Sequence, residues 1–158
     1  MTLLRFSWTI ILAAGATAFA APTPPSEIVW RQWSDDVFAQ AKRENKFVLL
    51  DLEAVWCPWC HVMAETTYRD VDVVTLMGDH YLAVRVDQDS RPDLANRYED
   101  YGWPATVIYA PDGTEIVKKQ GYIEPRGMVR LLKAVINDPS PVSAQNVNQD
   151  DAVTIGLF

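Results

Sequence analysis

A strand-like apolar run leads into a pair of cysteines where the chain reads FVLLDLEAVWCPWCH from Phe47 to His61. The first six residues are of strand length and apolar except for Asp51, as is typical of a strand buried on both faces of a sheet. The cysteines follow after a short gap, and the residues from His61 onward have apolar positions at helical spacing. The order of strand, cysteine loop and helix therefore indicates an α/β fold.

Cys57 and Cys60 are the two cysteines of the chain. A two-residue gap closes almost no loop, so a structural bridge between them would stabilise the fold very little. Redox chemistry is the better explanation, because thiols one helical turn apart can exchange a disulfide with a substrate and then with each other. The helix N-terminus favours a thiolate, so Cys57 is predicted to be the exposed attacking sulfur and Cys60 the buried resolving thiol. Pro58 suits the first helical turn, where a missing amide hydrogen costs little.

Asp51 lies six residues before Cys57 on the predicted buried strand. An ionisable group in such a place is unfavourable unless it is paired or has a chemical role. Desolvation would raise its pKa, which would make it a proton acceptor for Cys60 during resolution of a mixed disulfide. The alternative is an aspartate at the end of the strand that points to water.

Helices and strands alternate outward from this stretch. Helical spacing predicts a helix from Ser34, which could cap it, to about Asn45, and further helices at 61–68, 71–77, 93–98 and 128–136. Strands are predicted at 47–52, 81–86, 103–109 and 115–120, with a hairpin turn at 111–113. The pattern indicates an α/β fold with a central mixed β-sheet flanked by helices and an antiparallel hairpin at one edge.

Pro104 opens one of these strands directly after Trp103. Proline is awkward in a buried strand unless its peptide bond is cis or it stands at the start of the strand. Because proline leaves neighbouring backbone groups free, this position could hydrogen-bond an extended substrate beside the cysteines. An ordinary proline at the start of a strand is the alternative.

The first 21 residues are typical of a secretory signal peptide. Arg5 precedes a short apolar run, and small residues at Ala18 and Ala20 suit cleavage after Ala20 or Ala21. An uncleaved N-terminal anchor is the alternative, because the apolar segment could be stretched to a span. Both interpretations place the rest of the chain outside the cytosol, in the periplasm or secreted, and the preferred one leaves no membrane attachment after cleavage.

Composition divides the remaining chain into three parts. Residues 22–29 form a proline-rich linker, 30–138 the folded domain, and 139–158 a polar, flexible tail in which only 153–158 could dock. The formal net charge of −7 argues against nucleic acid as a partner.

The residues from Trp30 to Asp138 together resemble the thioredoxin superfamily. The resemblance implies a thioredoxin fold in which Cys57 attacks, Cys60 resolves, Asp51 is the buried acid and Pro104 is a cis-proline that faces the pair. It also implies that Trp56, Pro58, Trp59, Trp103 and Pro104 contact the substrate. Protein thiols and disulfides would be the substrates, an upstream thiol would be the reductant, and the redox-active disulfide itself would serve in place of a separate cofactor.

Two kinds of thioredoxin-like domain look most similar. The stretches 50–57 and 67–71 are similar to the C-terminal periplasmic domain of the disulfide reductase DsbD, whereas 56–63, 86–93 and 102–104 resemble bacterial domains with a Cys-x-x-Cys-His signature. Asp51 and the DsbD likeness favour reduction of protein disulfides over a disulfide-forming oxidase. His61, protonated near the thiolates, would instead stabilise the reduced form and make the protein more oxidising.

Two other classes of function are open. Cys57, Cys60 and His61 could hold zinc or copper with His80 as a fourth ligand, but adjacent residues seldom reach one ion and the usual second ligand pair is missing, so we predict no metal site. The residues Asp87, Asp89 and Asp93 lack the glycine and glutamate of a calcium loop. Alternatively, a chaperone-like module could hold peptides on the aromatic residues Trp56, Trp59, Tyr101 and Trp103.

Overall fold

A five-stranded mixed sheet forms the centre of the protein, in a computed structural model that describes residues 26–141. The strands are β1 Trp30–Arg31, β2 Phe47–Glu53, β3 Tyr81–Asp87, β4 Ala105–Tyr109 and β5 Glu115–Gln120. Their order across the sheet is β1-β3-β2-β4-β5, with β1, β3 and β2 parallel and with β4 and β5 antiparallel to their neighbours. This is the predicted mixed sheet with a hairpin at one edge.

Within residues 26–141, five α-helices and three short 3₁₀ turns connect or follow the strands. The helices are α1 Asp35–Glu44, α2 Pro58–Glu65, α3 Val71–His80, α4 Pro92–Tyr98 and α5 Pro125–Asn137. The 3₁₀ turns are Thr67–Arg69, Gln88–Ser90 and Glu99–Tyr101. Among residues 26–141, none of the helices has both the length and the apolar character needed to cross a bilayer.

The side chains of β2 alternate between two hydrophobic layers. Val48, Leu50 and Leu52 pack with α1 and α4 on one face. Leu49 packs with α2, α3 and α5 on the other face. Since successive strand residues point to opposite faces, Asp51 shares the second face with Leu49. This alternation explains the continuous apolar run in the sequence, because helices cover both sides of the sheet.

Asn45 and Asp70 form helix caps, whereas Ser34 does not. Asn45 has a left-handed conformation with φ 51° and ends α1, as its position predicts. Asp70 caps α3 by accepting hydrogen bonds from the amides of Asp72 and Val73. Ser34 stands at the N-cap of α1 but its side chain makes no capping hydrogen bond.

The structure differs from the sequence-based assignment at several boundaries. The edge strand β1 was not predicted, and Ile28 from the predicted linker packs against the core. The helix that follows Cys57 begins at Pro58 as predicted but ends at Glu65 rather than 68, and 67–69 form a 3₁₀ turn. Strand β4 begins at Ala105 rather than 103, and α5 begins at Pro125 rather than 128. The predicted signal peptide at 1–21, residues 22–25 of the linker and residues 142–158 of the tail lie outside the described residues.

Candidate active site

Cys57 and Cys60 form a disulfide at the N-terminus of α2, with their Cα atoms 5.3 Å apart. Cys57 is the N-cap residue of the helix, and the Cys60 amide donates a hydrogen bond to the Cys57 Sγ at 3.2 Å. Pro58 occupies the first turn, as predicted, and is exposed. After reduction, the same amide and the helix dipole would stabilise a thiolate on Cys57.

The exposure predicted for Cys57 is wrong for this disulfide form. Both cysteines are 3% exposed, so the structure does not distinguish an exposed attacking sulfur from a buried one. The physical reason is packing, because Ala54 and the partly buried Trp103 form one cluster with the two cysteines. Trp103 is distant in sequence, so this contact was not evident from the residues around the pair.

Asp51 is buried, with 2% of its surface exposed, so the alternative of an aspartate pointing to water is wrong. It lies opposite Arg85 of β3 and Thr106 of β4 in the sheet register. Arg85 contacts one carboxylate oxygen of Asp51 through Nε at 2.9 Å and through Nη2 at 2.8 Å. Burial raises the pKa of Asp51 from 3.8 to about 6, although the charge and hydrogen bond of Arg85 act in the opposite direction.

Arg85 is the functional-site residue that the sequence analysis missed. Its Nε also lies 3.3 Å from a carboxylate oxygen of Glu53. The guanidinium carbon stacks 3.8 Å from the ring centroid of Trp30 and 5.4 Å from that of Tyr68. The available signal was a charged residue inside the apolar strand 81–86, but only the strand register shows that this residue faces Asp51.

Two buried hydroxyl groups, those of Tyr68 and Thr106, complete the surroundings of Asp51. The Asp51 carboxyl and the Tyr68 hydroxyl each influence the pKa of the other. Neither hydroxyl makes a hydrogen bond of standard geometry. Burial and the negative charge of Asp51 raise the pKa of Tyr68 well above its ordinary value, so this phenol stays protonated near neutral pH.

Exposed apolar side chains surround the start of α2. Val55, Trp56 and Trp59 are 74%, 62% and 59% exposed. The Trp59 ring lies 5.6 Å from that of Tyr122, in the loop before α5. His61, which follows Cys60, is exposed. We call Val55, Trp56, Trp59 and Tyr122 the aromatic surface.

Pro104 is buried, and the peptide bond between Trp103 and Pro104 is cis. Its carbonyl oxygen accepts a hydrogen bond from the Gly121 amide at 2.7 Å. This bond uses the carbonyl of Pro104 itself, and hydrogen bonding of an extended substrate by neighbouring backbone groups stays a prediction. The side chain of Tyr101 lies outside the described part of the chain.

The arrangement does not support the metal-binding alternative. His80 ends α3 directly before the first residue of β3, whereas the cysteines follow the last residue of the parallel strand β2. His80 and the cysteines therefore lie at opposite ends of these parallel strands, about 20 Å apart for strands of this length. Within residues 26–141, no three His, Cys, Asp or Glu side chains converge in a way that could hold a metal ion.

The sheet order and the disulfide at a helix N-terminus define a thioredoxin-fold domain that carries a Cys-x-x-Cys pair. Residues 12–149 match the model of the family Thioredox_DsbH, described as "Protein of unknown function, DUF255". The chain belongs to this family, and the predicted membership of the thioredoxin superfamily is confirmed.

Related proteins agree with this assignment. Thiol:disulfide interchange protein DsbD 2 of Pseudomonas aeruginosa is 32% identical over 106 residues, covering 65% of this chain and 17% of that protein. Spermatogenesis-associated protein 20 of Mus musculus is 31% identical over 90 residues, covering 52% of this chain and 11% of that protein. The chain thus spans only a small fraction of these curated relatives.

A solved thioredoxin from Thermus thermophilus aligns with a TM-score of 0.62 and 22% identity, covering 70% of this chain and 88% of that chain. At this identity the likeness shows the fold alone, and it confirms the predicted fold class.

Proposed function

We propose that this chain is an exported thiol:disulfide oxidoreductase that reduces disulfides in other proteins through Cys57 and Cys60. The observation that carries the proposal is the Cys57–Cys60 disulfide at the N-terminus of α2, on the segment that follows the strand of the buried acid Asp51. The proposed exchange needs no further cofactor, because the two sulfurs of the cysteine pair hold the two electrons that are transferred.

The reaction begins from the dithiol form. The Cys57 thiolate attacks one sulfur of a substrate disulfide and releases the other sulfur as a thiolate. The Cys60 thiol then loses its proton to the Asp51 carboxylate and attacks the Cys57 Sγ, which releases the second substrate thiolate. Substrate gains two electrons, the Cys57–Cys60 disulfide forms, and an upstream thiol reductant must restore the dithiol.

Asp51 supports the reducing direction. Burial raises its pKa to about 6, which is close enough to neutral pH for the carboxyl to take up and release a proton during turnover. The likeness to DsbD 2, named for thiol:disulfide interchange, also supports thiol redox partners. A disulfide-forming oxidase is the second candidate, and the observation that favours it is the exposed imidazole of His61 directly after Cys60.

The aromatic surface is the proposed docking site for substrate proteins. Exposed aromatic side chains beside a reactive group commonly anchor partner segments. Trp56 directly precedes Cys57, Trp59 lies between the two cysteines, and both tryptophans are more than half exposed. Trp103 and Pro104 would contact substrate from the other side of the cysteine pair.

Export rests on the sequence of residues 1–21. The proposed location is the periplasm or the outside of the cell, where an oxidising environment makes a reductant depend on an electron donor. Expression of the full chain with a C-terminal tag, followed by cell fractionation and mass measurement, tests this. A tagged protein that stays in the cytosol at its full mass contradicts it.

The direction is tested by the equilibrium redox potential of the Cys57–Cys60 couple against glutathione. A value near −270 mV, roughly that of thioredoxin, supports a reductase, whereas about −120 mV indicates a disulfide-forming oxidase.

The roles of the two cysteines are tested by a pair of matched variants. Cys60→Ser should trap a mixed disulfide between Cys57 and a substrate protein, and Cys57→Ser should trap none. Equal trapping by both variants would contradict the assigned order of attack, and activity that survives Cys57→Ser would favour the chaperone-like alternative.

A further inference from the structure

One arginine is shared by two carboxylates in the interior of the active-site region. The Nε atom of Arg85 lies 2.9 Å from a carboxylate oxygen of Asp51 and 3.3 Å from one of Glu53. The Asp51 side chain is 3% exposed, and that of Glu53 is 28% exposed at the end of β2 nearer the cysteines. When both acids are ionised, the three groups together carry one net negative charge.

Aromatic rings fix the position of the shared arginine. Its guanidinium stacks on Trp30 at 3.8 Å, and Trp30 and Tyr68 meet edge to face with ring centroids 4.8 Å apart. Stacking on aromatic rings restricts the movement of the arginine side chain toward either carboxylate. Arg85, Trp30 and Tyr68 also line an open cavity of about 470 Å³, which gives solvent a route to the cluster.

Glu27, Glu65 and Arg69 line the same cavity as Arg85, and Glu65 and Arg69 pair with each other at 3.0 Å. Asp87 lies opposite Glu53 across β2 and β3, but its Oδ1 accepts a hydrogen bond from the Asp89 amide at 2.7 Å. Tyr68 stays neutral because burial raises its pKa. The charges that act on Asp51 are therefore Arg85, which lowers its pKa, and Glu53, which raises it.

We propose that Glu53 is a positioning residue for proton transfer at Asp51, because its hold on Arg85 keeps Asp51 able to take up a proton. This inference rests on the proposed function, in which Asp51 accepts the proton of Cys60.

The balance of charge explains how sharing Arg85 between two carboxylates keeps Asp51 able to take up a proton. An arginine paired with a single buried carboxylate would favour the ionised acid, and protonation of the acid would leave an uncompensated cation. Here, Arg85 keeps Glu53 as its partner when Asp51 becomes neutral, so proton uptake leaves a neutral ion pair. The proton passes from the Cys60 sulfur to the Asp51 carboxylate and then to solvent, and Glu53 itself neither gives nor takes one.

The test compares Glu53→Gln with a matched control, Glu65→Gln. Glu65 is exposed on α2, lines the same cavity as Arg85 and pairs with Arg69 at 3.0 Å, whereas the acid that raises the pKa of Asp51 is Glu53. The pKa of the Asp51 carboxyl is followed by NMR in the oxidised protein, where the cysteines do not titrate. Glu53→Gln should lower this pKa by about one unit, and Glu65→Gln should leave it unchanged. An unchanged Asp51 pKa in Glu53→Gln overturns the inference, whatever the activity.

A kinetic measurement separates this inference from the proposed function. The reduced protein is mixed with a peptide disulfide, and the single-turnover rate is followed against pH. The part of the pH transition that Asp51 contributes should move down by about one unit in Glu53→Gln and be absent in Asp51→Asn, where only the dependence on the Cys57 thiolate remains, with no further change in the double variant. A shift that persists in the Asp51→Asn background overturns the inference, because Glu53 would then act without Asp51. If Asp51→Asn leaves the rate unchanged while Glu53→Gln still lowers the Asp51 pKa measured by NMR, only the role of Asp51 in the proposed function is refuted.

Discussion

Replacement of Asp51 by asparagine should make the protein more stable at neutral pH and not at acid pH. The folded protein holds the carboxylate among apolar side chains at 2% exposure, and this burial disfavours its charged form. Asparagine has nearly the same shape and carries no charge. Arg85 keeps a partner in the variant, because Glu53 remains 3.3 Å from its Nε.

The size of the effect follows from the pKa of Asp51, which is raised from 3.8 to about 6. A raised pKa in the folded state gives stability that is fully present below 3.8 and is lost as the pH rises through about 6. The shift corresponds to about 3 kcal/mol of unfolding free energy. Asparagine does not titrate, so the stability of the variant relative to the wild type should rise by about this amount between pH 3.5 and pH 7.5.

Urea unfolding of both oxidised proteins across this pH window measures the difference. Asp93→Asn is the control, because Asp93 is exposed and its hydrogen bond with Arg91 lowers its pKa to about 2. Its contribution is complete above about pH 5, so that variant should show no pH-dependent change between pH 5 and pH 7.5, where the stability difference of Asp51→Asn still grows. A stability difference between Asp51→Asn and wild type that is flat with pH would refute the raised pKa of Asp51.

Three further variants test the fold and the aromatic surface. Asp70→Ala should lower the unfolding free energy by about 1 kcal/mol, because it removes the cap of α3, and denaturant unfolding would show no loss if the cap is unimportant. Thr67→Val should cost about 1–2 kcal/mol by removing the hydroxyl that donates to the Ile123 carbonyl at 2.6 Å, and unchanged stability would deny this bond a role. Trp59→Ala should reduce the rate with a protein disulfide about tenfold and spare a small disulfide, whereas equal losses with both substrates would argue against docking at this exposed ring.

Local sequence was sufficient to predict the elements that carry the disulfide. The apolar run before the cysteines predicted β2, and helices on both sides of the sheet are the physical reason for that run. The hairpin formed by β4 and β5 was also evident, because Gly113 supplies the positive φ of 89° that its turn requires. These features depend on neighbours in the chain, which a pattern of residues can reveal.

Contacts between residues far apart in the sequence could not be predicted from such patterns. The pairing of Asp51 with Arg85 depends on the register of β2 against β3, and a shift by one residue would turn Arg85 to the opposite face. Strand β1 has two residues, too few for any periodicity, yet it supplies Trp30 to the same cluster. The burial of Cys57 depends on Trp103, which follows β3 and α4 in the chain.

The low exposure of the disulfide affects how fast it comes to equilibrium. With both cysteines 3% exposed, a small thiol such as glutathione must reach sulfurs that Trp103 and Ala54 help to cover. Rates of thiol–disulfide exchange depend on access as well as on potential. We therefore expect slow exchange with the bulk thiol pool and faster exchange with a protein that docks. The oxidation state of such a domain would not follow that of the thiol pool in its compartment. A redox potential measured against glutathione is therefore valid only if samples that start oxidised and samples that start reduced reach the same value.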